Sequence, residues 1–268
     1  MNVGRSTYAT HEFLEGCARG RVGVAFVGEC WVDKKSGMGT QSHPDYVRLG
    51  SLGGGGKVAC HVRRDLADFC TLVGCENRFV CVEIGGVRIG GVYSKCCARV
   101  HEMLSWLGRV RDVVGGRSWV LIGDWNAHHA EWSLDERSDA VGRALREWRD
   151  ARGARLLKSR SHTFERRRGD GVVTSWIDFA LAGGGVERGG LSSGWWLSDH
   201  SAIGCLVAVD DLELVVGHRD AVDWAKVQLT VADEDEGWYD SLVWGYGVQS
   251  AGRLQETTFE EDQDLWQK

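Results

Sequence analysis

The chain has 268 residues, 43% hydrophobic and 26% charged, a balance that suits one large α/β domain, or a domain with an appendage, and excludes a fibrous or wholly disordered protein. No apolar run approaches the ~20 residues of a membrane span, and residues 1–5 hold neither a signal-peptide core nor the second-position glycine of myristoylation, so an intracellular protein is expected. The net charge of −6 is uneven: residues 210–268 hold 15 acidic and 4 basic side chains, whereas residues 1–209 hold 23 acidic and 28 basic, a mildly basic body that permits a polyanionic partner without demonstrating one.

In chain order, residues 6–20 predict a short helix with Phe13, Leu14, Cys17 and Ala18 on one face and Gly20 as its stop. Residues 22–27 form an apolar run of strand length, with Gly28-Glu29 at its end. Gly53 to Gly56 reads as a turn before a strand at 57–62. It is not a phosphate-binding loop, because Ser51 stands where the first glycine is needed and Val58 follows Lys57. Strands follow at 79–84 and 87–93. Val100, Met103, Leu104, Leu107, Val110 and Val114 keep helical spacing up to Gly115-Gly116. A strand from Trp119 comes next, then a helix over 138–152 with Ser138 as N-cap and Val141, Ala144, Leu145 and Trp148 as its apolar face. Two further strands are expected near 175–181 and 202–209. Beyond 210 the chain turns acidic and polar, and a peripheral, partly disordered tail is expected. The 9 cysteines lack any Cys-x-x-Cys pair, and Cys60, Cys81 and Cys205 lie in apolar runs; buried reduced thiols are expected rather than a disulfide scaffold.

Polar groups intrude on these apolar runs at a few places. Gly123-Asp124-Trp125-Asn126 follows the Trp119 run, and Ser198-Asp199-His200 precedes Ala202-Ile203. Asp124 and Asn126, one residue apart, point to the same side of an extended segment. Asp178 sits inside Trp176-Ile177-Asp178-Phe179-Ala180-Leu181, where a carboxylate costs free energy unless it is paired. Histidine is the natural partner, since a carboxylate fixes the imidazole tautomer and stabilises its cation; His200 is the candidate. Singly, Glu29 also reads as a solvated loop residue and Asp124 as a turn cap. Together, the carboxylates and amides suit a hard divalent cation such as Mg²⁺. His128 and His129 are adjacent and point apart, which argues against zinc, and His129 is expected to buttress the loop.

On these residues the chain resembles the endonuclease/exonuclease/phosphatase superfamily, and within it the endonuclease domain of non-LTR retrotransposons. The family's ordered motifs stand here as Asn2 in Asn2-Val3-Gly4-Arg5, Glu29 in Gly28-Glu29-Cys30-Trp31, Tyr93 in Gly91-Val92-Tyr93-Ser94, Gly123-Asp124-Trp125-Asn126, Ser175-Trp176-Ile177-Asp178 and Ser198-Asp199-His200. The resemblance implies an α/β fold of two mixed β-sheets packed as a sandwich and flanked by helices in four layers. It covers residues 1–209 as one domain, followed by the acidic tail at 210–268. It implies a Mg²⁺-dependent phosphodiester hydrolase, Mn²⁺ being an acceptable substitute, that nicks duplex DNA. Glu29, with Asn2 or Asp199, would hold the metal. Asp124 would orient and deprotonate the attacking water, Asn126 would donate to the developing phosphorane, and His200, held by Asp178, would polarise the phosphate. Tyr93 would add a further hydrogen bond. DNA is the implied partner, and the nucleus the compartment if genomic DNA is the substrate.

Arg166-Arg167-Arg168 reads as a polar loop that either contacts backbone phosphates or is merely solvated. Trp195-Trp196 would stack on a base or line the core. The chain departs from the family in having only Met1 before Asn2, so a short first strand is expected, and in lacking prolines after Glu29 and Tyr93. Two other readings stay open: a phosphatase of small molecules or lipids on the same scaffold, and a non-catalytic nucleic-acid-binding relic of a mobile element.

Overall fold

The computed structural model describes residues 1–31, 43–50, 56–96, 98–133, 136–169, 171–184, 191–194, 198–205 and 207. The expected tail at 210–268, Trp195-Trp196 and most of the Gly53 turn lie outside the described residues.

Helix α1 (Thr7–Arg19) begins where the Ser6 hydroxyl accepts from the Ala9 amide and ends at Gly20. Its apolar face, including Phe13, Leu14 and Cys17, packs on one side of a three-stranded antiparallel sheet. That sheet has the order β1 (Val24–Gly28), β3 (Val58–Arg63), β2 (Tyr46–Leu49). A six-stranded mixed sheet lies on its other side. Its strands are β4 (Thr71–Glu76), β5 (Phe79–Ile84), β6 (Val87–Tyr93), β7 (Ser118–Asp124), β11 (Asp178–Gly183) and β8 (Arg155–Leu157), in that spatial order. Helices α2 (Val100–Val114) and α3 (Ala140–Asp150) cover its outer face.

Alternation along the strands builds these layers. In β5, Phe79 and Cys81 face the helices, whereas Val80 and Val82 join Phe26, Cys60 and Val62 between the two sheets. In β7, Trp119 and Leu121 face the helices while Val120 faces the other way with Ala180 and Ala182 of β11. A central strand buried on both faces needs a continuous apolar run, which is why these strands lack polar alternation. Strands β6 and β7 are parallel and are joined through α2, as a parallel pair requires. The expected four-layer α/β architecture of two packed sheets with flanking helices is therefore present. The six-stranded sheet is mixed, and the three antiparallel strands of the smaller one are extended by a parallel bridge between Asn2 and Gly28.

Several expectations are corrected. The run at 175–181 is not one strand: β10 (Gly171–Ser175) ends before Trp176-Ile177, and β11 starts at Asp178. The N-cap of α3 is Asp139, whose carboxylate accepts from the Gly142 amide; the Ser138 hydroxyl instead accepts from Ala130. Leu104, expected on the buried face of α2, is exposed, and Trp106 packs in the core instead. Arg166-Arg167-Arg168 is not loop but the end of β9 (Phe164–Arg168), paired with β10 in a hairpin. The last expected strand is described as β13 (Ala202–Cys205), paired with β12 (Leu191–Gly194). Cys60 and Cys81 are buried and all described cysteines are free thiols, as expected, while Cys205 is only half-buried.

Gly123 fits its place through the absence of a side chain. Its φ is 151°, and a Cβ there would stand 2.1 Å from the Val92 carbonyl oxygen, a backbone atom that cannot rotate away. Gly123→Ala is expected to lose about 3 kcal/mol or more of unfolding free energy in urea titration. Gly116→Ala, which meets no atom within 4 Å, is expected to change it by no more than about 0.5 kcal/mol. Equal losses for the two variants would contradict this reading.

Candidate active site

The sheet register sets the site. Tyr93 at the end of β6 pairs with Asp124 at the end of β7, and Asp124 pairs with Asp178 at the start of β11. Three polar side chains thus stand on one rung across three adjacent strands. The second sheet meets this rung through its parallel bridge, which brings Asn2 beside Gly28 and sets Glu29 at the end of β1.

The side chains interlock. Asn2 Nδ2 donates to Asp124 Oδ2 at 3.0 Å and lies 3.4 Å from His200 Nε2. Asn2 Oδ1 accepts from the Gly4 amide at 2.9 Å, which fixes which end of the amide faces the carboxylate. His200 Nδ1 meets Asp178 at 2.9 and 3.2 Å, and His200 Nε2 lies 3.9 Å from Asp124 Oδ2. Asp124 Oδ1 accepts from the Asn126 amide at 3.0 Å, while Asn126 Nδ2 donates to the Ser94 carbonyl at 2.8 Å. Asn2, Asp124, Asp178 and His200 are all buried. Between the two sheets, the Tyr93 hydroxyl donates to the Glu29 carboxylate. Asp199 turns its carboxylate away, onto Arg166. The structure therefore gathers Asn2, Asp124, Asn126, Asp178 and His200 around one centre, sets Tyr93 with Glu29 beside it, and places the Asp199 carboxylate in a separate ion pair.

Backbone strain collects here. Glu29 and Asn126 have φ of 48° and 45°, and Arg5, whose amide donates to the Glu29 carbonyl at 2.9 Å, has φ of 64°. Non-glycine residues in the left-handed region persist only where their surroundings hold them. At Asn126 the restraint is visible: Trp125 is fully buried, its Nε1 donating to the Phe179 carbonyl, so the turn is pinned between core and site. The loop beyond is braced by His129. Its carbonyl accepts from the Trp132 and Ser133 amides, and its ring lies 5.0 Å from the Trp132 ring.

Three contributors were not legible in the sequence. The Thr163 hydroxyl accepts from the Asp178 amide at 3.0 Å, the Ser94 carbonyl orients Asn126, and the Ser198 hydroxyl donates to the Asn2 carbonyl at 2.8 Å. Ser94 and Ser198 stand within quoted motifs, whereas Thr163 belongs to none. Each acts on a residue far away in the chain, so its role depends on distant segments coming together.

Electrostatics follow from burial of like charges. Burial, then the neighbouring Asp178 carboxylate, push Asp124 up to about 7, against the pull of His200, Asn2 and the Asn126 amide. Burial disfavours the His200 cation, but Asp178, helped by Asp124 and Asp199, outweighs it and raises His200 to about 9. Burial and the Glu29 carboxylate raise the Tyr93 hydroxyl above its ordinary value. Among the described residues, Asp124, Asp178 and His200 form a group whose ligand atoms all lie within 4.8 Å of one another. The pairing of His200 Nδ1 with Asp178 already occupies two of its members, so the hard donors left for a cation are the carboxylate oxygens of Asp124 and Glu29. Asn2, expected as a metal ligand, turns its Nδ2 to the centre because its Oδ1 is held by the Gly4 amide, and it acts there as a donor to Asp124.

A direct consequence concerns pH. In metal-free protein, NMR titration should find the His200 imidazole near 9, and Asp178→Asn should bring it to or below its ordinary 6.5. Because the folded value exceeds the unfolded one, the stabilisation is complete below about 6.5 and is lost as pH rises through about 9. Urea titrations between about pH 6 and 10 should show that decline in the wild type and not in Asp178→Asn. A wild-type His200 titrating at or below 6.5 would contradict the assignment.

Residues 87–204 match the model of a family described as endonuclease-reverse transcriptase. A search of curated protein sequences found no match. Among solved structures, the endonuclease domain of TRAS1, a telomere-specific non-LTR retrotransposon, superposes with a TM-score of 0.64 at 19% identity, covering 79% of this chain and 97% of that one. The 3′-5′ exonuclease NExo from Neisseria meningitidis gives 0.54 at 16% identity, with 77% and 97% covered. An AP endonuclease from Archaeoglobus fulgidus gives 0.51 at 16% identity, again with 77% and 97% covered. The matched segment holds Tyr93, Asp124, Asn126, Asp178 and His200. In its matched segment this chain is thus similar to the endonuclease-reverse transcriptase family, and in its fold to the nucleases named above, among them the endonuclease domain of a non-LTR retrotransposon.

Proposed function

We propose that this protein is a divalent-metal-dependent phosphodiesterase that nicks duplex DNA, derived from a non-LTR retrotransposon, with residues 1–209 as its catalytic domain. The observation that carries this reading is the buried Asp178–His200–Asp124 array closed by Asn2. A histidine charged by one carboxylate and facing a second is suited to a phosphate and a water, not to an apolar ligand.

Glu29 and Asp124 supply hard oxygen donors that suit Mg²⁺, with Mn²⁺ as a substitute, and such an ion would neutralise phosphate charge when bound. The chain's own groups divide the remaining work. Asp124, held near neutrality, accepts a proton from the attacking water; Asn2 and the Asn126 amide fix its two oxygens so that it approaches in one orientation. His200, charged and braced by Asp178, presents Nε2 to a phosphate oxygen. Asn126 spends one Nδ2 hydrogen on Ser94 and keeps the other for the developing negative charge. Tyr93 orients the Glu29 carboxylate. DNA as substrate is supported by the similar solved structures, one of which, NExo of Neisseria with a substitution, is described as bound to a product DNA hairpin.

Incubation with supercoiled plasmid and Mg²⁺ tests the proposal. Open circles should accumulate, disappear with a chelator, and fall by about a thousandfold in Asp124→Asn and in His200→Ala. Intact plasmid, or nicking that both variants preserve, would overturn it. Turnover of inositol phosphates beside intact plasmid would assign the site to small phosphate esters instead.

A further inference from the structure

The β9–β10 hairpin projects from the edge of the site, and its base is tied to both members of the histidine–aspartate pair. Phe164 forms an antiparallel bridge with His200, and its ring stands edge-on to the imidazole with centroids 5.0 Å apart. The Thr163 carbonyl accepts from the Ser201 amide at 2.7 Å, and the Thr163 hydroxyl holds the Asp178 amide at 3.0 Å. The Glu165 amide donates to the Asp199 carbonyl at 2.8 Å. One side-chain contact closes this seam: Arg166 grips the Asp199 carboxylate with Nε, at 2.8 Å, and with Nη2. The same guanidinium lies 5.4 Å from the Phe164 ring.

We propose that Arg166 is a positioning residue: by pairing with Asp199 it locks the hairpin base onto Ser198-Asp199-His200 and so holds the His200 ring against Asp178. The inference rests on the reading of His200 as the phosphate-facing group. Both donors converge on one oxygen, Asp199 Oδ2, so the planar guanidinium is held to the carboxylate by two charge-assisted bonds instead of one. An exposed ion pair adds little to global stability, so the effect of this one falls on local geometry. The rival role for an arginine here is direct contact with a substrate phosphate. Arg166 has its fork taken by Asp199, whereas the neighbouring Arg167 and Arg168 are exposed with no carboxylate partner among the described residues, and they fit that role better.

Hydrogen exchange at the Glu165 and Ser201 amides, measured without substrate or metal, reads the seam directly. Arg166→Ala and Asp199→Ala should each speed exchange there by about threefold to fivefold, and the double variant by no more than the faster single one. Arg166→Lys should recover only part of the protection, because a lysine makes one contact. In plasmid nicking, Arg166→Ala should lower kcat by about tenfold with KM changed less than about twofold. Unchanged exchange in both single variants would overturn the proposal. So would a raised KM with unaltered kcat in Arg166→Ala, which marks a substrate contact. Exchange is read without turnover, so it decides the role of Arg166 even if the wild-type protein leaves plasmid intact.

Discussion

The arrangement that the rest of this structure answers to is the pairing of Asp124 with Asp178 across β7 and β11. Like charges directly opposite on adjacent strands repel, and both residues are nearly fully buried. Two distant chain segments relieve that repulsion. The segment at 198–201 delivers His200 to Asp178, and the segment at 1–3 delivers Asn2 to Asp124. These segments are themselves joined, since the Ser198 hydroxyl donates to the Asn2 carbonyl. The beginning of the chain, its middle and the last described strand therefore meet because two carboxylates need partners. The same unfavourable pairing gives the site its chemistry, by keeping one carboxylate near neutrality and one imidazole charged.

The Gly123-Asp124-Trp125-Asn126 motif then reads as four distinct physical requirements. Gly123 lets the strand approach the Val92 carbonyl, where a side chain has no room. Asp124 takes the rung position. Trp125 turns to the opposite face and stacks on Phe179 with centroids 5.6 Å apart, anchoring the strand end in the helix-side core. Asn126 adopts the left-handed conformation that asparagine tolerates better than most residues, and its side chain ties the turn to Ser94. Site geometry and core packing are therefore set by alternate residues of one short segment, so a loss of packing at Trp125 would be felt at Asp124 and Asn126.

The legible parts of the sequence were those in which one element's pattern is complete within itself. Strands β5 and β6 and helix α2 were visible as apolar runs or helical spacing ended by glycine. The pairing of Asp178 with His200 was anticipated because a carboxylate inside an apolar run demands a partner. Strand β4 was missed: it is an edge strand, largely exposed, with a register shift between Leu72 and Gly74. Strand β9 is hidden in the sequence because Glu165-Arg166-Arg167-Arg168 offers no apolar alternation; it is a strand because β10 pairs with it. The N-cap of α3 went to Asp139 rather than Ser138 because the hydroxyl of Ser138 is occupied by Ala130. In each case the missing information was a partner elsewhere in the chain.

Asn2 shows how narrowly the site constrains residue type. Its Oδ1 is committed to the Gly4 amide, and Gly4 itself has φ of 52°, a turn that brings its amide back onto the residue two before. With the oxygen so committed, the amide nitrogen must face inward, toward Asp124 Oδ2 and His200 Nε2. An aspartate at this position would keep the Gly4 contact but set a third carboxylate oxygen against Asp124, adding repulsion where the fold already spends most of its compensation. A leucine of similar size would remove the repulsion but leave Asp124 Oδ2 without its donor in a dry environment. Only a side chain with an acceptor on one arm and a donor on the other satisfies both neighbours. The same donor holds Asp124 in the orientation from which it would meet a water.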